Sequence, residues 1–330
     1  MDFLSLFTVP FAYIMKGCMF LFNNYALALI GYALITKIIV FPISMKQQKS
    51  QLGMIRLRPY QNELKKRYGN NQERYNQELQ KLYQREGYNP MSSCLPLLIQ
   101  LPLILLIYNI VRHPLTYVYY GEVTTKAAAE KVLGLANTIK TGLPEKIAAA
   151  VEKINAGTDA VTKISNYEQE IYNAAAKADL INIPGDTFFG LFRFSGVPSE
   201  NLWSWMILIP ILAAVTGFIT SWYSQKLNKA TQDPAMQQGC SGNTMIYMMP
   251  LISLFICYSL NCALGWYWIV SNVLSIGQSY LLHKMYNPDK VLAEAEANVK
   301  KEKENKKVER SAIAAKKAAA IAAARNKKKK

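Results

Sequence analysis

Lys37 is the residue of this chain whose position most clearly predicts chemistry. It is the only charged residue in the 20-residue stretch Tyr25–Ser44. A charge in the middle of a membrane costs roughly 2.5–3.5 kcal/mol on insertion scales, so an intramembrane cation indicates a functional site. A buried cation without a partner is unfavourable. If Lys37 faces inward, we therefore expect water to reach it and the surrounding helices to enclose a polar cavity. In the alternative interpretation, its long side chain extends to the nearby headgroups.

Polar side chains in other apolar stretches support the same cavity. Gln100 lies within one of them, and Ser271 and Ser275 share one face of another helix because they are four residues apart. Their alternative role is to join neighbouring helices through hydrogen bonds. Tyr267 and Trp268 lie near the outer end of the same stretch, where aromatic side chains are typical of the membrane surface.

Five apolar helices are predicted to position these residues. A helix needs about 20 consecutive apolar residues to cross the hydrocarbon core of a membrane. Five stretches of 18 to 22 residues meet this requirement, and Lys37 is the only charge in them: Tyr25–Ser44, Met91–Val111, Leu202–Tyr223, Asn243–Leu260 and Cys262–Leu282. This pattern excludes a disordered chain and a soluble enzyme fold for the core. It predicts an all-α polytopic membrane protein with five transmembrane helices around a hydrophilic groove.

The distribution of charge predicts the orientation. The 330 residues include 38 Lys and Arg against 22 Asp and Glu, a net charge of +16. Met45–Tyr88 has ten basic and four acidic residues and His283–Lys330 has fifteen and six, whereas His113–Asn201 has eight and ten. Segments rich in Lys and Arg remain in the cytoplasm. We therefore predict a multi-pass membrane protein with its N-terminus outside and its C-terminus in the cytoplasm.

The segments between the spans have distinct characters. Asp2 in place of a basic start, and Lys16 within the apolar N-terminal run, favour an interfacial amphipathic helix over a cleaved signal peptide. Apolar residues at helical spacing on both sides of Gly69-Asn70-Asn71 predict a helical hairpin. The predicted order is an interfacial helix (1–23), transmembrane helix 1 (24–44), a cytoplasmic hairpin (45–89), transmembrane helix 2 (90–112), an extracytoplasmic helical insert (113–201), transmembrane helix 3 (202–223), a cytoplasmic loop (224–242), transmembrane helices 4 (243–260) and 5 (262–283), and a basic cytoplasmic tail (284–330).

Motifs for catalysis and cofactor binding are missing from the sequence. It contains no phosphate-binding GxxxxGK[ST] loop, no HExxH motif and no nucleophile elbow. Its two histidines, His113 and His283, are far apart, and its five cysteines form no CxxC pair. We therefore predict neither an enzyme nor a bound cofactor or metal.

Several short motifs carry a resemblance to a known family. They are Lys37–Pro42 followed by Lys46-Gln47, Gly87–Pro90, Cys94–Pro102, Asp233-Pro234, Met236–Gln238, Met248–Pro250 and Tyr267–Asn272. In these motifs and their order the chain resembles the YidC-type membrane protein insertases, which are related to the Oxa and Alb insertases. The intramembrane cation of that family is typically Arg. Lys37 keeps the charge but lacks the bidentate fork of a guanidinium.

The resemblance implies a place in the bacterial plasma membrane, a mechanism and partners. A groove open to the cytoplasm would receive the polar flank of a nascent membrane protein, which Lys37 attracts and Gln100 hydrogen-bonds. Tyr267 and Trp268 would form an apolar slide for the departing helix, with Tyr247 on the cavity wall. The basic tail would contact the ribosome or anionic lipids, and a protein translocation channel is a further possible partner. The resemblance implies no role for the outer insert 124–178.

Two other functions are compatible with the sequence. A small-anion transporter or channel could use Lys37 as its binding site, although the chain shows no inverted repeat of the kind common in transporters. A scaffold that binds ribosomes without moving a client is the third hypothesis.

Overall fold

The computed structural model describes residues 3–88, 95–121, 125–139, 142–157, 161–200, 203–227 and 242–327. This part of the chain is mostly helical. Shorter turns flank the main helices: a π-helix at Pro114–Tyr119 and 3-10 segments at Val161–Tyr167, Pro198–Glu200 and Trp205–Ile207. The α-helices are α1 (Phe3–Phe22), α2 (Tyr25–Tyr68), α3 (Gln72–Arg85), α4 (Leu95–Arg112), α5 (Thr125–Ile139), α6 (Glu145–Asn155), α7 (Glu168–Lys177), α8 (Leu208–Leu227), α9 (Gly242–Ser259), α10 (Cys262–Tyr286) and α11 (Pro288–Lys327).

Two helical segments in the described residues are long and apolar enough to cross a membrane. They are Tyr25–Tyr68 and Trp205–Leu227. The predicted second and fourth spans begin in residues whose side chains lie outside the description, and their remaining parts, Pro102–Arg112 and Pro250–Ser259, are short apolar helices. Helix α10 is long enough at 25 residues, but its Ser, Asn and Gln side chains lower its hydropathy. The structure thus agrees with a helical membrane protein, and the number of five spans stays a prediction.

The described residues fall into two compact units. The first lies within Met1–Met45, Cys94–Leu227 and Cys240–Leu281, and the second within Lys46–Ser93, Asn228–Gly239 and Leu282–Lys330. Helix α2 continues without a break from one unit into the other. The change from apolar to charged composition near Met45 therefore marks a change in surroundings along one helix and not a helix end.

The core of the first unit joins apolar helices to the insert. Met15 of α1, Tyr32 of α2, Ile107 of α4 and Tyr172 of α7 are all fully buried in one hydrophobic cluster. The insert is thus packed on the helices as part of the same core.

Backbone carbonyls of the insert accept hydrogen bonds from two helix N-termini. The first N–H groups of a helix have no partner within the helix and must be satisfied elsewhere. Tyr25 N–H donates to Pro184 O at 2.7 Å, Cys262 N–H to Gly196 O at 2.8 Å, and Ala263 N–H to Phe194 O at 2.7 Å. The segment after α7 therefore caps both α2 and α10.

A small hairpin interrupts the helical pattern of the insert. Strands β1 (Thr187–Phe188) and β2 (Phe192–Arg193) pair antiparallel, with Phe188 opposite Phe192. The all-α prediction did not include it. The turn needs two left-handed residues, Phe189 (φ 46°) and Gly190 (φ 75°), and the stacked Phe188 and Phe192 rings hold it together, with centroids 5.3 Å apart.

The second unit consists of the hairpin arms and the tail helix. Tyr75, Leu79 and Leu82 of α3 are buried in a cluster with Leu57 of α2. The Asn71 side chain caps α3 by accepting the N–H of Arg74 at 3.0 Å, as expected of an N-cap residue. The first half of α11 also contacts the arms: Tyr60 donates a hydrogen bond to Glu302 at 3.0 Å and Lys303 forms an ion pair with Glu63.

Candidate substrate groove

The ammonium group of Lys37 meets a hydroxyl on a distant helix. Its Nζ donates a hydrogen bond to Ser275 Oγ at 2.7 Å, from α2 to α10. Ser275 in turn donates to the carbonyl of Ser271 at 2.7 Å, which orients its lone pairs toward the lysine. This contact of the cation is to a neutral oxygen, so the positive charge is not cancelled there and can attract an anion.

A cavity of about 200 Å³ lies beside this contact. Since a water molecule occupies about 30 Å³ in the liquid, the space holds roughly six or seven waters, or a polar side chain in place of some of them. Both apolar and polar groups from five helices line it: Lys37, Ile104, Gly217, Thr220, Ser221, Pro250, Ser253, Tyr267, Trp268, Ser271, Asn272 and Ser275.

Hydrogen bonds between α8 and α10 form one wall of the cavity. The Asn272 amide donates to the carbonyl of Ala213 at 3.3 Å and to Thr216 Oγ1 at 3.2 Å. Thr220 Oγ1 donates back to the carbonyl of Asn272 at 3.1 Å. Gly217 lies between these threonines, and a Cβ there would sit 3.5 Å from the Asn272 amide nitrogen. Because Gly217 has no side chain, the cavity extends up to the backbone of α8 at this position.

Four of the six predicted site residues line this single cavity. They are Lys37, Tyr267, Trp268 and Ser271. The ring of Tyr267 also packs against Tyr32, with centroids 6.0 Å apart. The side chains of the other two predicted residues, Gln100 and Tyr247, lie outside the described residues. That any of the six contacts a client stays a prediction.

The sequence interpretation missed the contribution of α8 and α9. Thr220, Ser221 and Gly217 of α8, and Ser253 of α9, line the cavity but were not predicted to do so. The available signal was the four-residue spacing of Thr216 and Thr220, which puts two hydroxyls on one face of an apolar helix. Hydroxyls are common in such helices as packing contacts, so the spacing alone does not identify a cavity.

No group of three or more His, Cys, Asp or Glu side chains that could hold a metal ion occurs within the described ranges. Cys18, Cys257 and Cys262 are buried free thiols, and Cys18 and Cys262 belong to the hydrophobic core cluster.

Comparison with known proteins gives the relationship of the chain. It is similar to the membrane protein insertase YidC of Treponema denticola (27% identity; 84% of this chain and 38% of that protein) and to that of Ruegeria sp. (26%; 91% and 40%). It is also similar to the membrane protein insertase YidC 2 of Listeria innocua (27%; 88% and 74%). The chain thus spans about two fifths of the length of the first two relatives. The family model described as 60Kd inner membrane protein matches residues 18–290. The chain therefore belongs to the 60Kd inner membrane protein family, which is the YidC, Oxa and Alb family that its motifs predicted.

Proposed function

We propose that this protein is a membrane protein insertase whose groove receives the polar flank of a nascent membrane protein. The observation that carries the proposal is the position of the Lys37 ammonium group, at the edge of a polar cavity between apolar helices. The names of the relatives support the same activity.

The groove lowers the cost of moving polar groups through lipid. A charged residue at the centre of a bilayer costs roughly 2.5–3.5 kcal/mol. Lys37 would attract acidic residues of the client, and the hydroxyls of Ser253, Ser271 and Ser275 would replace part of the lost water. We place Gln100 and Tyr247 on the same route: Gln100 lies within the motif Cys94–Pro102, and Tyr247 directly precedes Met248–Pro250.

Burial of the client helix would drive the process. At roughly 25 cal/mol per Å², each large apolar side chain that leaves water contributes about 2 kcal/mol. Ten such residues then provide on the order of 20 kcal/mol, which exceeds the cost of several polar groups. The process therefore needs no nucleotide hydrolysis. Tyr267 and Trp268 would form the surface along which the helix leaves.

The proposed topology has five spans, an outer N-terminus and a cytoplasmic tail. The two strongly basic segments, Met45–Tyr88 and His283–Lys330, would then lie on one side of the membrane, as the positive-inside rule requires. The insert within 113–201 would lie on the outer side.

The tail is proposed to contact the ribosome. Beyond Lys306, the described part of α11 exposes a run of Lys and Arg side chains, which suits binding to RNA phosphates or to anionic lipids. Co-sedimentation of full-length and tail-truncated protein with translating ribosomes in rising salt distinguishes a ribosome contact from binding to lipids alone. Equal sedimentation of both proteins would contradict the ribosome contact.

Charge reversal at Lys37 tests the central proposal. Lys37→Glu should abolish insertion of a client with an acidic translocated tail into reconstituted vesicles, because the groove would then repel that tail. Lys37→Arg is the matched control and should retain insertion. Undiminished insertion by the Glu variant would remove Lys37 from the mechanism.

Crosslinking distinguishes an insertase from a transporter or a scaffold. A photoreactive group at Tyr267 or Gln100 should crosslink to a stalled nascent membrane protein. A transporter of small anions and a ribosome-binding scaffold both predict no crosslink at these positions.

A further inference from the structure

A second polar cavity lies where the apolar helices meet the insert. Its volume is about 270 Å³, and its lining includes Arg112 at the end of α4, Glu170 and Asn173 of α7, and Asn261 in the turn between α9 and α10. The two short apolar segments Pro102–Arg112 and Pro250–Ser259 both end at this cavity. It is distinct from the Lys37 cavity, and the proposed insertase mechanism does not use it.

The cavity offers both a cation and an anion to a ligand. Arg112 donates one of its five N–H groups to the Tyr108 hydroxyl at 3.2 Å, and its guanidinium lies 5.9 Å from the centre of that ring. This contact orients the guanidinium fork, which is well suited to a phosphate. No ion pair joins Arg112 to Glu170 among the contacts of these two described residues, although both line the cavity. A zwitterionic ligand would satisfy the two charges together.

The amides of the cavity are fixed by the protein itself. Gln169 Nε2 donates to the carbonyl of Ser195 at 2.6 Å, and Asn261 Nδ2 donates to the carbonyl of Val111 at 2.9 Å. Gln169 Oε1 already accepts a long hydrogen bond from Asn261 Nδ2 at 3.5 Å, so Asn261 Oδ1 is the amide oxygen that can accept from a ligand with an ammonium group. The lining is thus preformed and not collapsed on itself.

An apolar surface continues from the cavity along both helices. Leu105, Tyr108 and Arg112 follow each other at steps of three and four residues on α4, so they share one face. On α9 the same steps join Phe255 to Ser259, which lines the cavity. Leu105 is 49% exposed and Phe255 is 70% exposed. A ligand bound in the cavity would therefore have long apolar surfaces directly beside its polar end.

From these observations we propose that the cavity binds the headgroup of a phospholipid in the outer leaflet, with the phosphate on Arg112 and an ethanolamine ammonium on Glu170. The acyl chains then lie along Leu105 and Phe255. At about 30 Å³ for each water-sized group, the cavity holds roughly nine such groups, which suits a headgroup and not a larger molecule. The site rests on the proposed placement of α4 and α9 in the membrane, with the insert outside.

Native mass spectrometry of the full-length protein tests the assignment. The protein in detergent is mixed with equal amounts of phosphatidylethanolamine, phosphatidylcholine and phosphatidylglycerol that have identical acyl chains. We expect phosphatidylethanolamine to be retained several-fold more than the other two, because only its ammonium combines a positive charge with N–H donors for Glu170: the choline nitrogen has no N–H, and the glycerol hydroxyls are uncharged. Preferred retention of phosphatidylcholine or phosphatidylglycerol would overturn the assignment. This comparison uses the unmodified protein and so does not depend on the folding of any variant.

Matched variants locate the site. Arg112→Gln should reduce the lipid-bound fraction about tenfold at sub-saturating lipid, the size of effect that loss of one charge-assisted hydrogen bond produces. Glu170→Gln should keep binding but lose the preference for phosphatidylethanolamine. Lys177→Gln, at the exposed end of α7, removes a charge from the same helix and should change nothing. Equal retention by the Arg112 variant, or equal loss in the Lys177 variant, would overturn the site.

Two further measurements complete the test. The first distinguishes a lipid headgroup from a free phosphate ester, and the second distinguishes failure of the lipid site from failure of the insertase proposal. Soluble glycerophosphoethanolamine at the same concentration should give no adduct, because it lacks the acyl chains. Adducts as abundant as those of the lipid would overturn the lipid assignment in favour of a free phosphate ester. Lys37→Glu, which tests insertion, should retain lipid as the unmodified protein does, so the lipid site and the insertase proposal can fail independently.

Discussion

Glu168 couples the stability of the insert to pH. Its carboxylate is buried and accepts hydrogen bonds from the backbone N–H and the hydroxyl of Thr116, the latter at 2.8 Å. Burial raises the pKa of Glu168 from 4.5 to about 7, although the hydrogen bonds from Thr116 partly oppose this rise. Between these pH values the folded protein keeps a proton that the unfolded chain releases. The contribution of Glu168 to stability is therefore complete below pH 4.5 and is lost as the pH rises through 7.

The size of the effect follows from the shift. One pKa unit corresponds to about 1.36 kcal/mol, so a rise from 4.5 to about 7 removes about 3 kcal/mol of folding free energy at pH 8 relative to pH 4.5. Glu168→Gln cannot ionise and imitates the protonated acid, with one amide oxygen to accept and one NH₂ group to donate. The folding free energy of the variant should therefore not fall between pH 4.5 and pH 8, and the variant should be more stable than the unmodified protein at pH 8.

Thermal unfolding in detergent, followed by tryptophan fluorescence, measures the difference. Trp266 is a suitable reporter because its ring lies 5.7 Å from those of both Phe188 and Phe194. We expect the Tm of the unmodified protein to fall by several degrees relative to Glu168→Gln between pH 5 and pH 8.

The comparison of variants isolates Glu168 from other acids. Burial also raises the pKa of Asp186, and this contribution is the same in both proteins, so it cancels in their difference. Glu152→Gln removes an exposed carboxylate from α6 and serves as the control for charge removal alone. A Tm difference between the unmodified protein and Glu168→Gln that does not change with pH would refute the reasoning.

Three further substitutions test the groove and the insert. Gly217→Val should reduce client insertion severalfold, because the methyl groups of the valine fill the cavity. The Tm should change little, since the new Cβ lies at an ordinary contact distance of 3.5 Å from the Asn272 amide. Gly277→Val, whose Cβ would have no atom within 4 Å, is the control in the same vesicle assay. Asn272→Leu should lower the free energy of unfolding by roughly 0.6–1.7 kcal/mol, the range for interhelical hydrogen bonds in membranes, and an unchanged denaturant midpoint would contradict this. Asp186→Asn should lower the free energy of unfolding by about 1–3 kcal/mol at pH 5–8, measured by denaturant unfolding. The Asp186 carboxylate accepts hydrogen bonds from the Tyr172 hydroxyl and from both the backbone N–H and the hydroxyl of Ser195, whereas an amide has only one oxygen to accept them.

The position of the insert could not be predicted from its composition. Its Ala, Lys and Glu content indicates helices, and the structure has α5, α6 and α7 there. Its attachment depends on single groups that such a composition does not identify. Glu168 hydrogen-bonds to Thr116, which is 52 residues earlier in the chain, and the carbonyls of Pro184 and Phe194 cap α2 and α10. Backbone carbonyls occur in every residue, so no sequence pattern could point to these two.

The sequence alone determined the class and the family of the protein. Long apolar stretches with almost no charge can bury their backbone groups only as membrane helices, and the short motifs around Lys37 and Tyr267 identified the family. The isolation of Lys37 can also be read from the sequence alone, since no other charged residue lies within Tyr25–Ser44.

Only the tertiary structure decided what Lys37 contacts. A helix that is apolar on all sides carries no stripe that fixes its rotation about its own axis. The sequence therefore cannot tell whether Lys37 faces lipid or another helix. The structure brings its Nζ to Ser275, 238 residues away, and adds a wall of Thr220 and Ser253 from helices in which these hydroxyls looked like ordinary packing contacts. The rotation of each helix is set by packing against its neighbours, and that packing is a property of the assembled bundle.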